Sequence, residues 1–299
     1  MIILLFGKNG QVGWELQRSL APLGELIALD RHSQAHCGDM SDLDGIAKTV
    51  HDLKPDVIVN AAAYTAVDKA ETEAELAHSI NAEAPGVLAK AAQACGAWLV
   101  HYSTDYVFDG SGDQPWREAD TVNPLIVYGK TKLAGEQAIQ ASGCLHLIFR
   151  TSWVYGARGN NFAKTMLRLA REREQLAVIN DQIGAPTGAE LIADVTAHAI
   201  RVANHRNDVS GLYHLVAAGQ TSWFEYAGYV FDFARRVGGE SLKLPQSGLQ
   251  AISTAQYPTP ARRPLNSRLN TQKLESMFDL HLPAWQNGVE RMLTEIYGK

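Results

Sequence analysis

The chain is poor in the features that mark disulfide scaffolds, metal fingers, membrane spans and nucleic-acid binders. Only three cysteines occur in 299 residues, Cys37, Cys95 and Cys144, far apart and without CxxC spacing. That scarcity excludes a stapled secreted framework and fits a reducing compartment. The 10 histidines include no HExxH pair, which argues against a catalytic zinc site. The first apolar run, Met1-Ile-Ile-Leu-Leu-Phe6, has no basic residues before it and stops at Gly7-Lys8. It is too short for a signal or a membrane span, so a cytoplasmic location with no membrane partner is expected. A formal net charge of −5 and a pI near 6.1 exclude a broad nucleic-acid footprint. No internal repeat or low-complexity tract is present.

What remains is an ordinary globular mix, with 46% apolar and 20% charged residues in a chain long enough for one large or two unequal domains. Short apolar runs at Ile2–Phe6, Leu26–Leu29, Val57–Val59, Trp98–Tyr102 and His146–Phe149 read as buried strands. Helical periodicity fills the gaps at Val12–Leu20, Leu43–Leu53, Ala74–Cys95 and Lys130–Ala141. Strand and helix in alternation predict an α/β fold, a doubly wound parallel sheet of Rossmann type. After Arg150 the rhythm loosens. Phe162–Arg173, Ala189–Ala203 and Trp223–Val237 read as helices, Leu176–Ile179 and Gly211–Val216 as extended. Gly238 to Pro264, rich in Gly, Pro, Ser and Thr, reads as an ordered surface segment. The expected division is a dinucleotide-binding domain over 1–150, to which parts of 174–216 return, and a smaller C-terminal substrate lobe over 151–299.

Gly7-Lys-Asn-Gly10-Gln-Val-Gly13 follows the first strand and opens the first helix. Glycines there allow a sharp bend and close approach to a pyrophosphate, while the helix N-terminus offers amide donors. Asp30 ends the second strand, where an acid binds the adenosine ribose, and Arg31 beside it suits a 2′-phosphate. Having both leaves NADH and NADPH equally open.

Tyr128 and Lys132 stand four residues apart at the start of a helix and so share a face. A cation near a phenol favours phenolate and would bring Tyr128 towards the working range of an acid/base catalyst. Thr104, at the end of the fourth strand, can donate to a substrate oxygen beside Tyr128. The small residues of Asn60-Ala-Ala-Ala63-Tyr-Thr65 let a cofactor lie against the third strand. Glycine turn, strand-end hydroxyl and Tyr/Lys pair occur in the order of an extended short-chain dehydrogenase/reductase.

Longer blocks narrow this further. Ser103-Thr-Asp-Tyr-Val-Phe-Asp-Gly110, Val127-Tyr-Gly-Lys-Thr-Lys-Leu-Ala-Gly-Glu136, Arg150-Thr-Ser-Trp-Val-Tyr155, Asn160-Asn-Phe162, Val178-Ile-Asn-Asp-Gln-Ile-Gly-Ala-Pro-Thr187 and Arg262-Arg-Pro-Leu-Asn-Ser-Arg268 resemble the dTDP-4-dehydrorhamnose reductase family. The resemblance spans most of the chain. It implies reduction of the C4 ketone of a dTDP-4-dehydro-6-deoxy-L-hexose to dTDP-L-rhamnose, for cell-surface polysaccharide of the O-antigen type. It implies that Gly10, Gln11 and Val12 line the pyrophosphate turn, with Asp39 and Met40 near the adenine. Ala63, Tyr64, Thr65 and Tyr102 would line the nicotinamide side. Tyr128 would be the proton donor, Lys132 would hold the nicotinamide ribose, and Asp105 and Trp153 would contact the sugar nucleotide. Arg262 and Arg263 suit its diphosphate, because guanidinium forks match phosphate oxygens. The family is associated with magnesium and with homodimers. Glu15 and Glu190 are conceivable metal contacts, although exposed helix glutamates are the plainer expectation. Two rivals stay open at this point: an epimerase or dehydratase that recycles bound NAD, and a nucleotide-sensing regulatory subunit without turnover.

Overall fold

The computed structural model describes residues 1–238 and 242–298. The first half runs β1 (Ile2–Phe6), α1 (Gln11–Leu20), β2 (Glu25–Leu29), α2 (Leu43–Leu53), β3 (Val57–Asn60), α3 (Val67–Ala70), α4 (Ala74–His78), α5 (Ala84–Cys95), β4 (Trp98–Thr104), α6 (Val127–Ser142) and β5 (His146–Thr151). The second half runs β6 (Val154–Tyr155), α7 (Phe162–Glu172), β7 (Leu176–Ile179), β8 (Ile183–Gly184), β9 (Thr187–Gly188), α8 (Ala189–Ala203), β10 (Gly211–His214), β11 (Thr221–Ser222), α9 (Trp223–Phe233), β12 (Leu249–Ile252), α10 (Gln272–Phe278) and α11 (Trp285–Tyr297).

Six parallel strands form one sheet in the order β10-β5-β4-β3-β1-β2. Both faces are covered, so β1 is apolar at every position rather than at alternate ones. Ile3 and Leu5 pack with Leu16 and Leu20 of α1 and Ile192 and Ala199 of α8. Leu4 and Phe6 point the other way, onto Ile46 and Val50 of α2 and Leu88 and Ala92 of α5. The strand order reverses direction between β1 and β3, the crevice where doubly wound sheets bind ligands.

The second half divides its loyalties. α8 packs on α1, and β10 extends the sheet beyond β5. By contrast β7 pairs with β12 outside the sheet. α7, α9 and α11 enclose a separate apolar cluster around Tyr226, Phe231 and Trp285. Residues 239–241 of the Gly238–Pro264 segment lie outside the described residues.

Two local departures from the expected elements have physical causes. Ala74–Cys95 is not one regular helix: between α4 and α5, Ser79–Glu83 widens into a π turn. Gly135 of α6 lies so close to the Asn81 carbonyl that an added Cβ would sit 2.2 Å from that oxygen. The widened turn accommodates that crossing and frees the Asn81 side chain to bind Tyr64. α6 begins at Val127, three residues earlier than its apolar spacing predicts. Its first N–H finds a partner outside the helix, because Val127 N donates to Glu71 Oε1 at 2.9 Å.

Candidate active site

Two of the three glycines of the first turn, Gly7 and Gly13, are needed for shape. Gly7 has φ +85°, and a side chain there would strike the backbone of Ala61 and Ala62. Gly10 is the N-cap residue of α1. A Cβ on Gly13 would fall 2.0 Å from the Gly7 carbonyl oxygen. The turn is therefore pressed against the end of β3, at the strand-order reversal, with the α1 N-terminus opening beside it and Gln11 and Val12 half-buried in its first turn. A dinucleotide pyrophosphate fits this turn, since the close backbone packing at Gly7 and Gly13 brings the α1 N-terminus and its amide donors to the sheet edge.

Around the turn, Asp30 accepts from His32 N at 2.9 Å and also binds Ser33 Oγ and Asn9. Burial raises its pKa, but these hydrogen bonds and Lys8 outweigh it and hold the carboxyl below the usual range. Arg31 is exposed, Asp39 accepts from Ser41, and Met40 is buried beneath them. Across β3, the Ala63-Tyr64-Thr65 segment is pinned by Asn81, whose Oδ1 accepts from Tyr64 N at 2.9 Å. The Tyr64 hydroxyl donates to Glu73. Tyr102 is hydrogen-bonded to Thr196 Oγ1 of α8 at 2.8 Å.

Thr104, Asp105, Tyr128 and Lys132 gather where β4 ends against the first turns of α6. The Thr104 hydroxyl hydrogen-bonds Tyr128 and donates to Asp105 Oδ1 at 3.1 Å. Tyr106 packs edge-on against the Tyr128 ring, 5.6 Å between centroids. The expected pull of Lys132 towards a Tyr128 phenolate is not what the side chains do. Burial and the neighbouring Asp105 charge push Tyr128 up to about 12, and the Thr104 hydrogen bond only partly opposes them. Sharing a helix face is not enough, because Lys132 Nζ is drawn down onto β4. It donates to the Tyr102 carbonyl at 2.6 Å and lies 3.1 Å from His101 Nε2. Burial takes Lys132 down to about 8.

Asp105 is 2% exposed, and burial raises it to about 6, with Ser267 and Thr104 hydroxyls opposing. The unfolded carboxyl titrates near ~3.9, so the folded form binds the proton more tightly. Its stabilising contribution is complete below about pH 3.9 and lost as pH rises through 6. Two units correspond to about 3 kcal/mol. Asp105→Asn is therefore expected to melt progressively higher than the parent as pH rises from 4 to 7, measured by thermal denaturation. A constant offset across that range would contradict a buried carboxyl.

The substrate side is partly as expected. Trp153, with φ +49°, stacks on Trp223 at 3.6 Å, and Gly184 has no side chain because the indole lies against it. Arg262 is exposed, whereas Arg263 is tied by Nη2 to Asp68 Oδ2 at 2.7 Å. The same Asp68 accepts from Ala261 N at 3.1 Å. Of the two arginines expected to serve a diphosphate, Arg263 is held in an ion pair, whereas exposed Arg262 makes no ion pair within 4 Å among the described residues, though its charge acts on Asp109. Glu15 and Glu190 are half-buried, not exposed as expected: they sit on facing helices α1 and α8, and burial, with Glu15 and Glu295 nearby, raises Glu190. Among the described residues no group of three or more His, Cys, Asp or Glu could hold a metal ion. Sequence reading missed Asn60, His101, Asn81, Ser267 and the buried Arg150–Glu136 pair, all of which act across elements rather than within one.

Residues 1–297 match the family described as "RmlD substrate binding domain". It is 65% identical to the dTDP-4-dehydrorhamnose reductase of Salmonella typhimurium, over 99% of this chain and 98% of that one. The chain belongs to the dTDP-4-dehydrorhamnose reductase family. A relative from Burkholderia thailandensis with the same name is 48% identical over 97% of both chains. A solved reductase of this name from Clostridium acetobutylicum superposes with a TM-score of 0.89 at 36% identity, covering 99% of each chain. That of Bacillus anthracis, solved in complex with NADP, gives 0.86 at 36% identity over 98% of this chain and 99% of that one.

Proposed function

We propose that this protein reduces the C4 ketone of dTDP-4-dehydro-6-deoxy-L-mannose to dTDP-L-rhamnose, with NADPH or NADH as the hydride source. The observation that carries the reading is the gathering of Thr104, Asp105 and Tyr128 at the carboxyl edge of the sheet, where burial keeps the Tyr128 phenol protonated beside the Thr104 hydroxyl. A ketone oxygen lodged between those two hydroxyls is polarised by Thr104 and protonated by Tyr128. When bound, the nicotinamide supplies the hydride. Gly7, Gly10, Gln11, Val12 and Gly13 would cradle its pyrophosphate, and Asp30, Arg31, Asp39 and Met40 its adenosine end. Ala63, Tyr64, Thr65 and Tyr102 would face its nicotinamide side, with Lys132 on the adjoining ribose. Asp105 and Trp153 would orient the sugar, and exposed Arg262 would meet the diphosphate.

The NADP complex of the Bacillus anthracis relative supports NADPH, while the well-bonded Asp30 carboxylate suits the free ribose of NADH. Dual use follows. A homodimer in the cytoplasm is the corresponding reading for assembly and location, tested by light scattering. No described helix is long and apolar enough to cross a membrane. Glu15 and Glu190, on facing helices, would be the protein contacts of a magnesium ion that keeps most of its waters; no group of three or more ligating side chains occurs among the described residues, and no step here uses the metal.

Asp105, protonated up to about pH 6 beside Thr104, is the one observation that would also suit a dehydratase. The assay separates the two. Net oxidation of NADPH or NADH by the keto sugar, with dTDP-L-rhamnose as product, is expected. Turnover without net cofactor consumption would sink the reductase reading.

A further inference from the structure

The residues assigned to the cofactor pyrophosphate leave its charge largely unmet. A dinucleotide brings a pair of negative charges there, and the α1 N-terminus offers only roughly +0.5 elementary charge against them. Gly7, Gly10, Gln11, Val12 and Gly13 are uncharged. Lys8, the lysine of the turn, leans the other way, 3.8 Å from Asp30 Oδ2 and 3.4 Å from Ser33 Oγ.

Another cation stands beside the turn. Between β6 and α7 the chain runs Gly156-Ala-Arg158-Gly159, and this loop packs on the first residue of α1. A Cβ on Gly159, which has φ +78°, would lie 3.3 Å from Gln11 Cγ, and Asn161 Nδ2 donates to Gln11 Oε1 at 3.4 Å. Arg158 is exposed and forms no ion pair among the described residues. Its guanidinium lies 3.7 Å from the centroid of the Trp14 ring. Trp14 is four residues beyond Gly10, so it stands about 6 Å further along the helix axis. That distance is within the swing of an arginine side chain.

We propose that Arg158 is a cofactor-binding residue that leaves Trp14 and closes over the dinucleotide pyrophosphate. The inference rests on the dinucleotide-dependent reading of this site and deepens it by supplying the cation that the glycine turn lacks. Only the side chain has to turn. The loop backbone is already pinned, since Lys164 Nζ donates to the Ala157 and Gly159 carbonyls and Asn161 Nδ2 to the Gly156 carbonyl. A guanidinium fork matches phosphate oxygens with two charge-assisted hydrogen bonds, which outweigh an exposed contact with a ring face. Trp14, 45% exposed, is then the platform on which the guanidinium rests between ligands.

The test compares two ligands by titration calorimetry on the full chain at one fixed salt concentration. ADP-ribose carries the pyrophosphate but no nicotinamide, and adenosine carries no phosphate. In Arg158→Leu the preference for ADP-ribose over adenosine should fall about tenfold or more, the worth of one charge-assisted pair. Arg158→Lys keeps the charge and should recover part of that loss. Trp14→Ala should bind ADP-ribose about two- to fivefold more tightly, because the resting contact no longer competes. An unmoved preference in Arg158→Leu, or an equal loss for both ligands, overturns the proposal. No recovery in Arg158→Lys removes charge as the cause and overturns it as well. Weaker ADP-ribose binding in Trp14→Ala refutes the release, since Trp14 would then be aiming the guanidinium at the ligand. If the parent binds ADP-ribose but oxidises no NADPH with the keto sugar, the reductase reading fails while the Arg158 comparison still stands. A parent that prefers ADP-ribose no more than adenosine sinks the proposal whatever its turnover.

Discussion

Tyr128→Phe is expected to lose about 10²–10⁴-fold in kcat for ketone reduction, the usual worth of one positioned general acid. Cofactor affinity should stay close to that of the parent. The phenyl ring retains the edge contact with Tyr106, and the glycine turn lies on another part of the sheet edge. What disappears is the hydroxyl that bonds Thr104 and faces the substrate oxygen. Steady-state kinetics with a fluorescence titration of NADPH separates these effects. Near-parental turnover would remove Tyr128 from its role, and loss of cofactor binding would make its role structural.

The second large effect is on stability. Arg150 and Glu136 form a bidentate pair with side chains 4% and 1% exposed. Removing one partner leaves a buried charge uncompensated, at a cost of about 3–5 kcal/mol. Glu136→Leu should therefore lower the urea midpoint sharply with little change in slope. Arg150 also lies 5.1 Å from the Phe108 ring centroid, so some attraction survives, but not enough to replace a carboxylate. The double variant Glu136→Leu/Arg150→Met should recover much of the loss, since no unpaired ion remains. Equal destabilisation of single and double variants would show that packing, not charge, dominates.

Features local in sequence were legible in it. The glycine turn, the buried strands and the Tyr128/Lys132 spacing each follow from a short segment, and each stands where the pattern implied. Features made by crossing segments were not. Nothing near position 132 announces that its ammonium stem will bend onto β4, because the Tyr102 carbonyl and His101 are supplied by the strand beneath. Asn81 looks like a poor helix residue until Gly135 is seen pressing on its carbonyl. Arg263 reads as a free cation until α3 brings Asp68 to it. The Asn60–His101 contact arises from strand register alone, since those two residues are paired across β3 and β4.

The four-residue helix α3 has a consequence for how such a protein can diversify. Asp68 fastens the loop bearing Ala261 and Arg263, and Glu71, just past the helix end, holds the first N–H of α6. A single inserted or deleted residue between them would pull both anchorages out of register at once. Point substitutions here can be absorbed, whereas changes of length cannot. Lineages that acquire new sugar preferences should therefore keep this segment's length fixed and vary the outer loops around Trp153 and Arg262.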